Sequence, residues 1–327
     1  MLEIGPYKLN SKVLLAPMAG ITDKPFRKLV KNFGAALTFS EMALIKNNLL
    51  NSNKSKFRLN FKDEASPIVA QIIGTSSAEF IKSAKFAVNL GAEIIDINMG
   101  CPQKKVCNKY AGSALLKNEK LVNEILTKTV KAVKVPITLK MRTGWDNKNK
   151  NAVTIAKIAE NAGIKMLTIH GRTREDKFNG NAEYKTIYKV VNSVKIPVIA
   201  NGDINSHTKA KYVLDETGAH GVMIGRAARG QPWIIKYIDY YLKTNKEPDY
   251  LTLEQKIKII LAHLTDIYNF YGDFIGTYLA RKHIFWYANN LTKRKLLKEF
   301  WNSINKIKNS KIQYQLTEEF LINLCHK

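Results

Sequence analysis

Cysteine is nearly absent from this sequence. Cys101, Cys107 and Cys325, three residues in 327, are too few and too scattered for a disulfide framework. None falls beside histidine at zinc-ligand spacing, so no metal site is expected. Acidic residues are also scarce: 27 Asp+Glu face 52 Lys+Arg, a formal charge of +25. A compositional lean toward Lys, Asn and Ile explains part of that excess, but such a lean would more naturally be balanced by Glu. A polyanionic partner, nucleic acid, is the better physical reading. No apolar run approaches the ~18 residues needed to span a bilayer, so no membrane partner is expected. The N-terminus lacks the basic-then-apolar layout of a secretion signal, and free thiols suit a reducing compartment. Together they set the expectation of a cytoplasmic protein. A G-x-G-x-x-G turn after the first apolar run is missing too, which weighs against an open dinucleotide-binding sheet.

What is present is repetition. Eight short apolar runs occur at 13–16, 36–40, 68–73, 93–98, 137–141, 166–170, 198–201 and 221–225. Helix signals lie between them. Thr22-Asp23 precedes Phe26, Leu29, Val30 and Phe33; Ser76 with Glu79 forms a capping box; Asn118 precedes Leu121, Val122 and Ile125. Gly34, Gly91, Gly163 and Gly218 stop four of these segments. Nearly all-apolar strands alternating with helices mean a parallel sheet covered by helices. Eight repeats favour a closed (β/α)8 barrel of the TIM type. The polar stretch 46–64 is expected to be an excursion over one barrel end. Near Lys243 the pattern changes. Thr252 with Gln255 caps a helix whose stripe is Leu253, Ile257, Ile260, Leu261, Leu264 and Ile267, and no strand signal follows. The expected division is a catalytic barrel over 1–243 and a small all-helical, RNA-binding domain over 244–327.

In such barrels, chemistry sits at the C-terminal ends of the strands. Those ends carry Ala16-Pro17-Met18, Gln71, Asn98 with Cys101, Lys140 with Arg142, His170 with Arg172 and Arg174, Asn201-Gly202-Asp203, and Gly225-Arg226. Cys101 stands between Gly100 and Pro102 on a constrained turn, and a long basic loop follows it. Gln71, Lys140 and His170 need partners inside an apolar strand. A lone polar residue is usually just satisfied, for instance by Glu41 or Asp96; several at one depth suggest a ligand cradle. The loops after the last two strands are the usual phosphate site, and Gly202, Gly225 and Arg226 suit it. In the tail, Arg281-Lys282-His283, Phe285-Trp286-Tyr287 and Lys293-Arg294-Lys295 interleave cations with aromatics, as RNA contacts do. A solvated face over a core aromatic is the equally simple alternative.

Ala16-Pro17-Met18-Ala19-Gly20-Ile21-Thr22-Asp23, Asn98-Met99-Gly100-Cys101-Pro102, Lys140-Met141-Arg142, His170-Gly171-Arg172-Thr173, Asn201-Gly202-Asp203-Ile204 and Gly225-Arg226-Ala227 together closely resemble the tRNA-dihydrouridine synthases. Ala280-Arg281-Lys282-His283 with Trp286-Tyr287 is similar to the bacterial B-type branch. The resemblance implies an FMN enzyme, with NADPH or NADH as reductant, that reduces the C5–C6 bond of a D-loop uridine in tRNA. It implies that Ala16, Pro17, Met18, Gln71, Lys140, His170, Asn201, Gly202, Asp203, Gly225 and Arg226 bind the flavin. Cys101 would be the proton donor. Asn98, Arg172, Arg174, Arg281 and Lys282 would contact the RNA. No stable protein partner is implied. Two rivals are a flavin barrel acting on a small molecule, as in dihydroorotate dehydrogenases, and a non-catalytic RNA-binding protein. The +25 charge speaks against the first. The presence of Cys101, Lys140 and His170 together speaks against the second.

Overall fold

The computed structural model describes residues 2–43 and 57–325. Seven parallel strands form one curled sheet: β3 (Val13–Leu15), β4 (Val69–Ile72), β5 (Ile94–Met99), β6 (Ile137–Arg142), β7 (Met166–His170), β8 (Val198–Asn201) and β9 (Gly221–Ile224), in the order β3-β9-β8-β7-β6-β5-β4. The eighth place, between β3 and β4, is filled by the expected second run. It pairs through single parallel bridges, Leu15 to Thr38, Phe39 to Val69 and Ala43 to Ile72, rather than a full ladder. These bridges close the ring, so the fold is a (β/α)8 barrel. The expected excursion over 46–64 falls in part outside the described residues.

A hairpin of β1 (Leu2–Ile4) and β2 (Tyr7–Leu9) precedes the barrel. Three residues per strand are too few for a period-2 signal. Gly5, at φ +58, makes its turn. Leu2, Ile4 and Leu9 pack on Leu14, Ile94, Met166, Ile199 and Met223, sealing the N-terminal end of the barrel.

Helices cover the outside: α1 (Lys24–Asn32), α2 (Ser77–Asn89), the short α3 (Lys104–Cys107), α4 (Glu119–Ala132), α5 (Ala152–Asn161), α6 (Lys185–Val191), α7 (His207–Thr217) and α8 (Ile234–Thr244). The anticipated caps are in place. Asp23, Ser76 and Asn118 accept N-terminal N–H groups, and Gly218 ends α7 in the left-handed region.

After residues 245–252 comes α9 (Leu253–Leu291), opened by the full Thr252/Gln255 capping box. Gly272 breaks it, with φ 74 and ψ 170. The two halves fold back on each other: His263 Nδ1 meets the Tyr287 hydroxyl at 2.9 Å. A Cβ on Gly276 would stand 3.1 Å from Tyr268 Cα, so the two halves pack tightly there. α10 (Arg294–Ile304) and α11 (Ser310–Asn323) complete a second apolar cluster, which also takes Trp233 and Tyr237 from the end of the barrel. Among the described residues no helix is long and apolar enough to cross a membrane.

Candidate active site

Side chains alternate across each strand. In β5, Ile95, Ile97 and Met99 join the outer core, while Ile94 points to the barrel floor. That leaves Asp96 and Asn98 facing the interior above Ile94. Register then aligns Gln71 with Asp96, Asp96 with Thr138, Asn98 with Lys140, and His170 with Asn201. The interior is therefore apolar at its base and polar at its mouth.

The polar layer forms one directed chain. Thr138 donates to Asp96 at 2.6 Å and the Gln71 amide donates to its other oxygen at 2.7 Å. Asn98 donates to the Gln71 carbonyl at 2.8 Å. The Asn98 carbonyl accepts the N–H groups of Gly100 and Cys101, both at 3.0 Å. Each amide orientation follows from the one below it, and the last link sets the Cys101 turn. Asp96 is fully buried, and burial raises its carboxyl to about 6.

The far side of the Cys101 turn is held by β6 and a 3-10 helix at Gly112–Lys117. Arg142, buried, donates to the Gly100 carbonyl at 2.8 Å and to the carbonyls of Thr173 and Lys177 at 2.6 and 2.8 Å. The Ser113 hydroxyl donates to the Cys101 carbonyl at 2.8 Å. Gly112 has no room for a side chain: its Cβ would lie 2.9 Å from that same carbonyl oxygen. Burial pushes the Cys101 thiol above its ordinary value, so it is protonated at neutral pH.

Lys140 donates to Asn201 at 3.1 Å, and Asn201 donates onward to the Met223 carbonyl at 2.7 Å. Burial and the neighbouring Arg142 bring the Lys140 ammonium down to about 8. His170 is pushed well below its usual range by burial and by Lys140, Arg142, Arg172 and Arg226, which makes it a neutral ring. At the ends of β8 and β9, Gly202 adopts φ +123, where a Cβ would come within 2.7 Å of Ala182 Cβ. Asp203 accepts from Arg172, from Arg226 at 2.9 Å and from the Ala182 N–H at 2.8 Å.

Gln71, Asn98, Cys101, Lys140, His170 and Asp203, with Ala16, Pro17, Met18 and Gly225, line one open cavity of about 1080 Å³ at the C-terminal mouth, and Asp96, Thr138 and Ser113 support it from behind. Arg229 and Phe178 join the rim. Asp96, Arg142 and Arg229 were not among the site residues expected from sequence. Asp96, within β5, and Arg142, at the end of β6, stand beside or within strand-end motifs and carried a signal; Arg229 stands beyond the last strand-end motif and carried none.

The expected RNA contacts fall differently. Asn98 lines the cavity, but its amide serves the chain described above. Arg172 also lines it, yet its donors are occupied by Asp203, by the carbonyls of Gly180 and Asn179, and by the His170 ring at 3.4 Å. Arg174 is off the cavity, stacked 4.4 Å from the Trp145 ring, with Lys117 at 4.9 Å from the same ring. Arg281 donates to the Ile307 carbonyl at 2.9 Å, and Lys282 donates to the Gly20 carbonyl. The last two cations are thus drawn into contacts between chain segments, because α9 turns that face toward its neighbours.

A parallel barrel with a thiol, an ammonium and a glycine-lined, basic rim on one mouth is the architecture of a barrel enzyme that takes an anionic ligand. The profile of the dihydrouridine synthase family matches residues 14–323. The chain belongs to that family. The tRNA-dihydrouridine synthase B of Pseudomonas syringae pv. tomato is 49% identical over 323 residues, 99% of this chain and 95% of that protein. The protein of the same name from Shewanella oneidensis is 45% identical over 323 residues, 99% of each chain. Among solved structures, a histamine dehydrogenase from Rhizobium sp. 4-9 superposes with a TM-score of 0.56 at 12% identity, covering 81% of this chain and 50% of that one. That last likeness concerns the fold alone.

Proposed function

We propose that this chain is an FMN-dependent tRNA-dihydrouridine synthase that reduces the C5–C6 bond of a D-loop uridine, with NADPH or NADH as reductant. The observation that carries the reading is the shared cavity: a protonated thiol, Cys101, faces it from the turn after β5, and a half-buried ammonium, Lys140, from the adjacent strand β6. The residues fit a flavin mononucleotide. Among the described residues Lys140 has one hydrogen-bond acceptor for three donors, which suits an anionic ring edge. Gly225, whose missing side chain would meet, among the described residues, only Ala16 Cβ at 3.7 Å, leaves space for close backbone approach beside Arg226, which suits a phosphate. Ala16, Pro17 and Met18 offer a flat wall, and neutral His170, with Gln71, Asn201, Asp203 and Gly225, completes the cradle. When bound, reduced FMN supplies the hydride for uracil C6.

The chain's own residues do the rest. Cys101, on a turn held by Asn98, Ser113 and Arg142, would deliver the proton that C5 requires. Its raised pKa keeps the proton available at neutral pH. A stacked uridine cannot reach this depth, so the nucleotide must be flipped out. On this reading catalysis is assigned to 1–243 and RNA grip to 244–327, with the exposed Lys104, Lys105 and Lys109 beside the cavity as further RNA contacts. The test is site-resolved dihydrouridine mapping of tRNA from cells with and without this gene. Loss at one D-loop position is expected; full modification everywhere would overturn the assignment.

A further inference from the structure

Lys282 lies on the second half of α9, yet its ammonium donates to the backbone carbonyl of Gly20, 262 residues away. The N–H of the same Gly20 donates to the Glu41 carboxylate. One glycine is therefore held from both sides. Gly20 has φ +74, and among the described residues Lys282 Nζ, at 3.8 Å, is the one atom near where its Cβ would stand. The neighbouring backbone is closed on itself. The Ile21 and Thr22 N–H groups both donate to the Met18 carbonyl, at 2.9 and 3.0 Å, and Met18 N–H donates to the Thr22 hydroxyl at 2.9 Å. This loop is the wall of the cavity: Ala16, Pro17, Met18, Ala19 and Ile21 all line it.

A second tie reaches the same loop. The Tyr271 hydroxyl, beside the Gly272 break, donates to Asp23 at 3.2 Å, and Asp23 caps α1. Lys282 is thus bonded to Gly20 and within electrostatic reach of the Asp23 and Glu41 carboxylates. A lysine bonded to a carbonyl between two carboxylates is poorly placed to meet a phosphate.

We propose that Lys282 is a positioning residue. It straps the helical region onto the loop 16–23 and holds the cavity wall in its cofactor-receiving shape. Its link to the cofactor rests on the flavin reading above; the strap itself does not.

The experiment compares the full-length wild type with Lys282→Met, which keeps the length and loses the donor, and with Lys282→Arg. Amide hydrogen exchange at Gly20, Ile21 and Thr22 is followed in cofactor-free protein, then FMN is titrated, then tRNA affinity is measured against salt. In Lys282→Met we expect exchange at these amides about tenfold faster and FMN binding about tenfold weaker. The salt slope of tRNA binding should stay unchanged, and Lys282→Arg should recover most of both losses. Unchanged exchange would overturn the strap. Faster exchange with unaltered FMN affinity would overturn its role toward the cofactor. A salt slope flatter by nearly one, with exchange unaltered, would make Lys282 a phosphate contact. If the wild type itself binds no FMN, the flavin reading fails while exchange still decides the strap. Should Lys282→Met not fold, Tyr271→Phe must speed exchange across the loop's helix cap at Phe26, and no change there would overturn the tie.

Discussion

Cys101 and Lys140 answer to pH in different ways, and that difference separates their roles. Cys101 acts as an acid, so its proton must be present. Burial lifts its thiol above the ordinary cysteine range, and the proton is lost only at high pH. Cys101→Ala is expected to lower dihydrouridine formation by about 10²–10⁴-fold, with cofactor content retained; activity near wild type would remove the thiol from the reaction. Lys140 titrates at about 8 in the free protein. An anion bound at its ammonium favours the charged form, which predominates below that value. Affinity for the reduced, anionic cofactor should therefore fall as pH rises through about 8. Lys140→Met should bind weakly at every pH and lose that dependence, as fluorescence titration across the range would show.

At the scale of elements, strand register does the positioning. Gln71 opposite Asp96, and Asp96 opposite Thr138, place two donors on one carboxylate. Asp96→Asn keeps the volume but replaces one acceptor with a donor. Either Thr138 or Gln71 then faces an N–H, and a rotated Gln71 amide would turn its own N–H toward Asn98. The Cys101 turn loses its reference. Turnover is expected to fall by about tenfold to a hundredfold, as for a small misplacement of a reacting group. Wild-type turnover in this variant would show that the turn is set by Arg142 and Ser113 alone. The break at Gly272 has a similar positional effect. It folds α9 on itself and brings Tyr271 to Asp23, where an unbroken helix would run past the barrel.

For the whole molecule, the charge of +25 matters through its distribution. Several cations that looked available in sequence are engaged: Arg172, buried, and Arg281 and Lys282, half-buried, all donate to backbone carbonyls. Exposed cations near the cavity include Arg226 on its rim and, on the arm after Cys101, Lys104, Lys105 and Lys109, which flank the open Tyr110 ring. Replacing these three lysines by Ala should weaken tRNA binding and flatten its dependence on log salt by about 0.7–0.9 for every phosphate that is no longer neutralised. Cofactor binding should be unaffected. An unchanged slope would move the RNA track elsewhere on the molecule.

The barrel, the Cys101 turn and the polar mouth could all be read from the amino-acid sequence. These are local matters: apolar runs of strand length, helix caps, and polar or Gly-Cys-Pro residues where an apolar run ends. The second strand place was legible as an apolar run, but its pairing by single bridges was not, because that depends on how far the ring must stretch between β3 and β4. The hairpin β1–β2 was too short to signal. Which cations remain free was settled by tertiary packing. Lys282 meets Gly20 across 262 residues, Arg172 meets Asp203 across 31, and Arg281 meets Ile307 across 26. A sequence shows that a charge exists; whether a carbonyl already holds it depends on contacts that form only when distant segments pack.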